Sequence, residues 1–166
     1  SDLLDGNAVN EFNRLPYEKL SELDRWILSK LLTMINEVDE AYENYEPTKA
    51  GRLIQDFVCD HLSNWYVRLG RRRFWAGEMT EDKQGAYETL QHCLVAVAQL
   101  MSPIAPFYGD WLYKNLTDTE TSTNESVHLT NFPKVQHEWI NTELEASMDL
   151  AQRICSLIHS LRKTNR

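Results

Sequence analysis

The stretch that decides the fold is Ser21-Glu-Leu-Asp-Arg-Trp-Ile-Leu-Ser-Lys-Leu-Leu-Thr-Met-Ile-Asn-Glu-Val-Asp-Glu-Ala-Tyr42. Within it, apolar side chains recur at steps of three and four residues, the spacing that places them on one face of an α-helix. They are Leu23, Trp26, Ile27, Leu31, Met34, Ile35, Val38 and Tyr42. Serine is a preferred residue at helix N-termini, so a long amphipathic helix is predicted to begin at Ser21.

Two further helices are predicted downstream by the same periodicity. Proline is well tolerated in a first helical turn, so a second helix is expected from Pro47 to about Trp75. Gly77 interrupts that pattern, and Thr80 can cap a third helix that runs up to Pro103. The apolar face of the second helix is predicted to contain Ala50, Ile54, Phe57, Val58, His61, Trp65 and Leu69.

The C-terminal half is predicted to contain a short fourth helix over residues 104–116, a polar loop over 117–125 and a final helix. Between them, residues 126–132 alternate polar and apolar side chains, which favours an extended segment. The motif Thr142-Glu-Leu-Glu145 has capping-box spacing, so the final helix is expected to begin there. Its predicted apolar face consists of Leu144, Met148, Ala151, Cys155 and Ile158.

These elements together predict an all-α fold, a helical bundle of about five helices with a short extended segment near 126–132. We divide the chain into an irregular lead-in (1–20), the helical bundle (21–135) and an additional helix (136–166). The last helix ends before any C-cap signal, so we interpret it as the start of a truncated C-terminal region.

Composition excludes several classes of protein. Hydrophobic residues make up 42% and charged residues 25% of the chain, a globular balance far from that of disordered proteins. The three cysteines are far apart and the five histidines show no paired spacing, so we expect buried reduced thiols and no metal site. No signal segment or long apolar run is visible. We therefore expect a soluble, cytoplasmic protein without a membrane partner.

The net charge of −8 is unfavourable for nucleic acid, whose phosphates are bound by Lys and Arg. However, the charge is unevenly distributed. Residues 61–80 carry 4 basic and 1 acidic side chain, whereas residues 1–60 carry 6 and 13. A second basic stretch closes the chain, with Arg153, Arg162, Lys163 and Arg166. A local basic surface on an acidic body is compatible with specific RNA binding, whereas strong sequence-independent binding, including binding to DNA, is not expected.

The most informative segment is Asp60-His-Leu-Ser-Asn-Trp-Tyr-Val-Arg-Leu-Gly-Arg-Arg-Arg-Phe-Trp75, in which four arginines and four large aromatic residues fall within sixteen positions. At 100° per residue, Asp60, Asn64, Arg68 and Arg71 lie together beside the apolar face. Arginine binds phosphate oxygens and stacks on bases, and Trp and Asn offer a stacking surface and an amide for base edges. These residue types suit an unpaired RNA loop.

Each of these side chains also has a purely structural interpretation. Trp65 lies in the centre of the predicted apolar face, where core packing competes with base stacking. Arg68 is either an RNA contact or the half-buried partner of Asp60 or of an acid on a neighbouring helix. We expect Arg71, Arg72 and Arg73 to be exposed, and such a run can be no more than a solvated surface.

A resemblance favours the RNA interpretation. Leu23-Asp-Arg-Trp-Ile-Leu-Ser-Lys-Leu31, Phe57-Val-Cys-Asp-His-Leu-Ser-Asn-Trp-Tyr-Val-Arg68 and Met101-Ser-Pro-Ile-Ala-Pro-Phe107 resemble the helical domain that follows the catalytic domain in isoleucyl-tRNA synthetases. This is the anticodon-binding domain of class I aminoacyl-tRNA synthetases, and the resemblance spans roughly residues 17–163. The related valyl, leucyl and methionyl enzymes share the bundle and stay open as alternatives.

The resemblance implies that this chain binds the anticodon loop of an isoleucine-specific tRNA. The expected tRNA-binding residues are Asn64, Trp65, Arg68, Arg71, Arg72, Arg73 and Trp75. The parent enzyme uses ATP and magnesium to ligate isoleucine to its tRNA, and in many members its C-terminal region binds zinc. The His-x-Gly-His and Lys-Met-Ser-Lys-Ser signatures of the catalytic domain are absent here. We therefore expect no catalysis and no cofactor in this chain, with its missing catalytic domain as a second partner and weak tRNA binding by the chain alone.

Two other classes of function stay open. In one, the chain is a structural or interaction bundle whose arginines dock against the rest of the parent enzyme rather than against RNA. In the other, it is a free-standing hydrolase or metalloenzyme, which requires clustered catalytic side chains that the sequence does not display.

Overall fold

The first predicted helix, α1, runs from Glu22 to Glu43 in a computed structural model that describes residues 15–75, 77–117 and 126–164. Ser21 caps it as expected: its Oγ accepts a hydrogen bond from the Asp24 N–H, and the Asp24 carboxylate accepts one from the Ser21 N–H. The lead-in over residues 1–14 and the loop over 118–125 lie outside the described residues. Residues 17–19, the described end of the lead-in, form a 3-10 turn.

Five more α-helices follow in the described residues, and no strand is present among them. Their bounds are α2 (Pro47–Asp56), α3 (Arg71–Trp75), α4 (Glu81–Met101), α5 (Pro106–Leu116) and α6 (Thr142–Thr164). Pro47 stands in the first turn of α2 and Thr80 caps α4, both as predicted. The all-α prediction is confirmed.

α1 lies at the centre of the bundle and contacts α2, α4 and α6. Its inward side chains are completely buried, among them Trp26, Ile27, Leu31 and Val38. α4 supplies the opposite side of the same core through small and aliphatic residues. None of the helices that the structure describes is long and apolar enough to cross a membrane.

A π-helix over Phe57–Val67 connects α2 to the turn before α3, so the predicted second helix is three elements rather than one. A π-helix has i to i+5 hydrogen bonds and a wider turn than an α-helix. The buried positions consequently advance from Phe57 to Leu62 and then to Tyr66. The predicted inward positions are displaced: Trp65 is only partly buried and Leu69 is 53% exposed. The α-helical period assumed for this segment was therefore wrong.

The extended segment predicted near 126–132 is also wrong at its centre, where Val127–Leu129 forms one 3-10 turn. The Ser126 Oγ accepts a hydrogen bond from the His128 N–H, and the Val127 N–H donates to the Asp110 carboxylate of α5 at 3.1 Å. Val127 is buried between α4 and α5. The turn is thus fixed by bonds to α5 that the alternation of side chains could not indicate.

α6 begins where predicted but is capped differently. The Leu144 N–H donates to the Asn141 side chain at 3.0 Å, so the capping residue is Asn141 rather than Thr142. Leu144 and Met148 pack against the core, whereas Ala151, Cys155 and Ile158 of the predicted apolar face are exposed. The domain boundary at 135/136 stays a prediction.

The expectation of buried thiols holds for Cys93 alone. Cys93 is completely buried in α4, and burial raises the pKa of its thiol. Cys59 and Cys155 are exposed, because the π-helix turns the first outward and the second lies beyond the part of α6 that packs on α1.

Candidate nucleic-acid interface

The π-helix and α6 face each other across an open groove of about 940 Å³. Three of the four residues predicted to lie together, Asp60, Asn64 and Arg68, line this groove on the π-helix side. Residues of α6 form the other wall of the groove. They include Asp149, Gln152, Arg153 and His159. The sequence did not predict that this helix lies opposite Asp60, Asn64 and Arg68.

Asn64 and Arg68 are exposed, and Trp65 is partly buried against the core while it also lines the groove. Trp65 therefore packs against the core, as its structural interpretation predicts, and also reaches the groove, where a base could stack on it. Arg68 makes no ion pair with any described residue, so the structural alternative for Arg68, a half-buried partner of Asp60 or of an acid on a neighbouring helix, is wrong.

Arg71, Arg72 and Trp75 lie on α3, outside the groove lining. The Arg71 guanidinium carbon is 5.7 Å from the centroid of the Trp75 ring, a cation–π distance. Trp75 is 79% exposed, and Arg71 and Arg72 are both exposed without an ion pair to the described residues. Two cations and an indole ring are therefore open to a polyanionic ligand.

Arg73 differs from its neighbours, and its expected exposure is wrong. Its Nη1 and Nη2 donate to the two carboxylate oxygens of Asp24 at 2.9 and 2.7 Å, and its Nε donates to Asp82 at 2.8 Å. The Asp24 side chain is fully buried, and that of Arg73 is 17% exposed. Arg73 therefore joins α3 to α1 and α4, and its donors are occupied within the protein.

The Asp24 carboxylate is the centre of this cluster and also accepts a 2.6 Å hydrogen bond from the Tyr66 hydroxyl. Burial by itself raises the pKa of Asp24, but hydrogen bonds from Arg73, Tyr66 and Ser21, with the charge of Arg73, outweigh it and hold the pKa below its usual value. The hydrogen bonds and charges of Asp24 and Asp82 raise the pKa of Arg73. The cluster therefore stays ionised at neutral pH. In the sequence, the cluster is indicated only by the capping pattern Ser21-x-x-Asp24.

A second buried carboxylate, Glu145, attaches α6 to α1. It accepts hydrogen bonds from the Ser29 hydroxyl and, at 3.0 Å, from the Thr33 hydroxyl. The Lys30 ammonium lies 3.6 Å from Glu145 and 3.7 Å from Asp149, and the Ser29 Oγ accepts from the Asn141 N–H at 2.8 Å. These contacts hold α6, which forms one wall of the groove, against α1.

The chemistry available at this surface is binding. Within residues 15–75, 77–117 and 126–164, no three His, Cys, Asp or Glu side chains are grouped as metal ligands. His61, in the groove, has its pKa lowered by burial and by the charge of Lys30, so its ring is neutral at pH 7. The surface combines cations, an amide, aromatic rings and carboxylates, the groups that bind phosphates, stack on bases and pair with base edges.

Comparison with known proteins agrees with this chemistry. Residues 24–166 match the family described as "Anticodon-binding domain of tRNA ligase". The chain is 57% identical over 161 residues to the isoleucine–tRNA ligase of Bacteroides thetaiotaomicron, covering 96% of this chain and 14% of the relative. With the isoleucine–tRNA ligase of Porphyromonas gingivalis it shares 53% identity over 96% of this chain and 14% of the relative.

A more distant isoleucine–tRNA ligase, from Dehalococcoides mccartyi, is 46% identical over 87% of this chain and 14% of its own length. The chain thus spans about one seventh of the length of the relatives it matches. The family match covers both walls of the groove and the whole arginine-rich segment. On this evidence the chain belongs to the family of anticodon-binding domains of tRNA ligases.

Proposed function

We propose that this chain holds the anticodon loop of an isoleucine-specific tRNA within an isoleucine–tRNA ligase. The observation that carries the proposal is that Arg68, Arg71 and Arg72 are exposed and unpaired within the described residues, beside the groove and the exposed ring of Trp75. The family match and the names of the relatives support it.

The proposed division of roles follows from where each side chain lies. Arg68, Arg71 and Arg72 bind loop phosphates, Asn64 pairs with a base edge, and Trp65 and Trp75 stack on bases. Arg73 leaves the set of proposed tRNA contacts, because Asp24 and Asp82 occupy its donors. It becomes a residue that positions α3 and thereby its neighbours.

In the whole protein, ligation of isoleucine with ATP and magnesium belongs to a catalytic domain outside this chain. That domain is the second proposed partner, and any zinc belongs to the C-terminal region. The cytoplasm is the proposed location, since charging of tRNA serves protein synthesis there.

The test is a binding titration of the 166-residue chain with isoleucine-specific tRNA and an unrelated tRNA, followed by fluorescence anisotropy across a salt series. We expect weak binding that favours the isoleucine tRNA and falls as salt rises. Each phosphate contact removed by Arg68→Gln, Arg71→Gln or Arg72→Gln should reduce the slope of log K against log salt by about 0.7.

Lys114→Gln is the matched control, because Lys114 lies on α5 away from the groove and pairs with Asp110 at 2.8 Å. It should leave both affinity and slope unchanged. Equal or undetectable binding to the two tRNAs, with the chain folded by circular dichroism, would overturn the proposal and leave the structural role for the arginines.

A further inference from the structure

The C-terminal part of α6 carries an apolar surface that the bundle does not cover. The first turns of α6 pack on the core through Leu144 and Met148, whereas residues 153–163 are all exposed. Five large aliphatic side chains of this helix are between 44% and 64% exposed: Leu150, Ile154, Leu157, Ile158 and Leu161. Because contiguous exposed apolar surfaces in soluble proteins mark sites of interaction, this part of α6 requires a partner.

These five side chains form one stripe, the outer stripe. At about 100° per residue they fall within an arc of about 100° on the helix. Four of them follow one another at steps of four, three and four residues, the spacing of the seam along which two helices pair. They are Leu150, Ile154, Leu157 and Leu161. Glu145, which bonds to α1, and Gln152, which lines the groove, lie on the other side of the helix. The outer stripe therefore faces neither the bundle nor the proposed tRNA surface.

Both edges of the outer stripe are positively charged. Arg153 lies along one edge and Arg162 along the other, and neither makes an ion pair with a described residue. Residues 150–166 contain no Asp or Glu. Two copies of this helix paired through their stripes would bring these arginines together, and like charges repel. Charges at the edges of paired helices select the partner, so the edges favour a helix whose apolar face is bordered by acids.

The size of the outer stripe favours a partner within the same polypeptide. From Leu150 to Leu161 the stripe is roughly 16 Å long at about 1.5 Å per residue, which is short for a stable complex of two separate proteins. A partner in the same polypeptide binds at an effective concentration on the order of millimolar when the linker is short. The chain spans about one seventh of the length of its relatives, so a longer ligase has ample sequence to provide such a helix.

We propose that an amphipathic helix from the rest of the parent ligase, with acids along the edges of its apolar face, packs on the outer stripe of α6. Its apolar side chains cover Leu157 and Leu161, and its acids pair with Arg153 and Arg162. The inference rests on the chain being one domain of a longer protein. It is independent of the proposed tRNA contacts, because the groove lies on the other side of α6.

The test compares hydrogen exchange in the 166-residue chain with exchange in the full-length protein. A single exposed helix opens readily, so the amides of residues 150–164 should exchange fast in the chain alone. In the full-length protein we expect them to exchange at least about tenfold more slowly. Continuation of the helix beyond residue 166 would also slow exchange, so substitutions on the outer stripe decide the cause.

Leu157→Gln in the full-length protein should remove most of this protection, because it places an amide in the centre of the seam. Leu129→Gln is the matched control, since Leu129 is 69% exposed against 64% for Leu157 and lies on the 3-10 turn. Arg162→Glu should also speed exchange, because it opposes the acids of the partner. Lys163→Glu makes the same change of charge at the next position, on the side of α6 away from the outer stripe, and should leave exchange unchanged.

Equal exchange over residues 150–164 in the chain and in the full-length protein would overturn the proposal. Protection that survives both Leu157→Gln and Arg162→Glu would also overturn it and assign the protection to helix continuation alone. Self-association of the full-length protein that Leu157→Gln abolishes would assign the outer stripe to a second copy. Binding of the full-length protein to vesicles of phosphatidylserine and phosphatidylcholine, lost in Leu157→Gln, would assign it to a membrane surface. None of these results changes the tRNA titration, so the proposed function is tested separately.

Discussion

The two ends of the arginine-rich segment use the same side chain in opposite ways. At one end, Arg73 makes a two-point contact with the buried carboxylate of Asp24 and a further bond to Asp82. At the other end, Arg68 stands exposed at the groove without an ion pair among the described residues. Five positions separate a guanidinium that holds the fold together from one that is open to a ligand.

The difference between them is the acid each one faces. Arg73 lies over the N-terminal turn of α1, where Asp24 is both a capping residue and fully buried. A buried carboxylate requires a cation and hydrogen bonds, since an isolated buried charge is strongly destabilising. Arg68 instead lines an open groove, whose acids Asp56, Asp60 and Asp149 form no ion pair with it. An arginine is therefore assigned to folding or to binding by its environment and not by its place in a basic run.

The largest expected effect comes from removing the structural arginine. Arg73→Gln leaves Asp24 buried without its cation, and should lower the free energy of unfolding by about 3–5 kcal/mol, the usual cost of breaking one side of a buried ion pair. Urea denaturation followed by circular dichroism measures it. The loss should also remove tRNA binding indirectly, through displacement of α3.

Arg72→Gln is the matched control for that variant, one position earlier on the same helix. An exposed arginine without an ion pair should change stability by no more than about 0.5 kcal/mol. Asp24→Asn combined with Arg73→Gln should recover part of the loss, because no unpaired charge is then left in the core. If Arg72→Gln and Arg73→Gln were equally stable, the contrast between the two ends of the segment would be wrong.

A smaller effect is expected at the contact that holds the α6 wall. Glu145→Ala removes the acceptor of Ser29 and Thr33 and one neighbour of Lys30, and should cost about 1–3 kcal/mol, the penalty for unsatisfied buried polar groups. Hydrogen exchange should show faster exchange in the first turns of α6 while α4 stays protected. Glu143→Ala, exposed in the first turn of α6, should leave exchange unchanged, and the same result for Glu145→Ala would contradict the assigned role.

Local rules predicted most of the fold because its helix ends are determined by neighbouring residues. Ser21, Pro47 and Thr80 act within one turn of the helices that they start, so their effects are visible in a short window of sequence. The resemblance likewise rests on contiguous strings. The clustering of Asp60, Asn64 and Arg68 was also predicted, since all three lie within two turns.

The features that the sequence did not predict depend on contacts between distant segments. The π-helix over Phe57–Val67 changes the period at which side chains turn inward, and nothing in a window of sixteen residues distinguishes it from an α-helix. Arg73 and Asp24 are 49 positions apart, so the burial of one arginine in a basic run has no local signal. The α6 wall was missed for the same reason, although Arg153 stood out as part of a second basic stretch.

The smallest expected effect is a pH dependence of stability. Only the contact between Arg73 and Asp24 should contribute to it, and not the exposed Arg68. The pKa of Asp24 in the folded protein lies below its usual value of 3.8. Its ionised form therefore stabilises the fold above that value, and the contribution is lost as pH falls through the folded pKa. Urea midpoints measured between pH 6 and pH 3 should fall more steeply for the wild type than for Asp24→Asn, which cannot titrate. Asp39→Asn, at an exposed position, should retain the wild-type slope, and an unchanged slope in Asp24→Asn would mean that the Arg73 contact does not depend on charge.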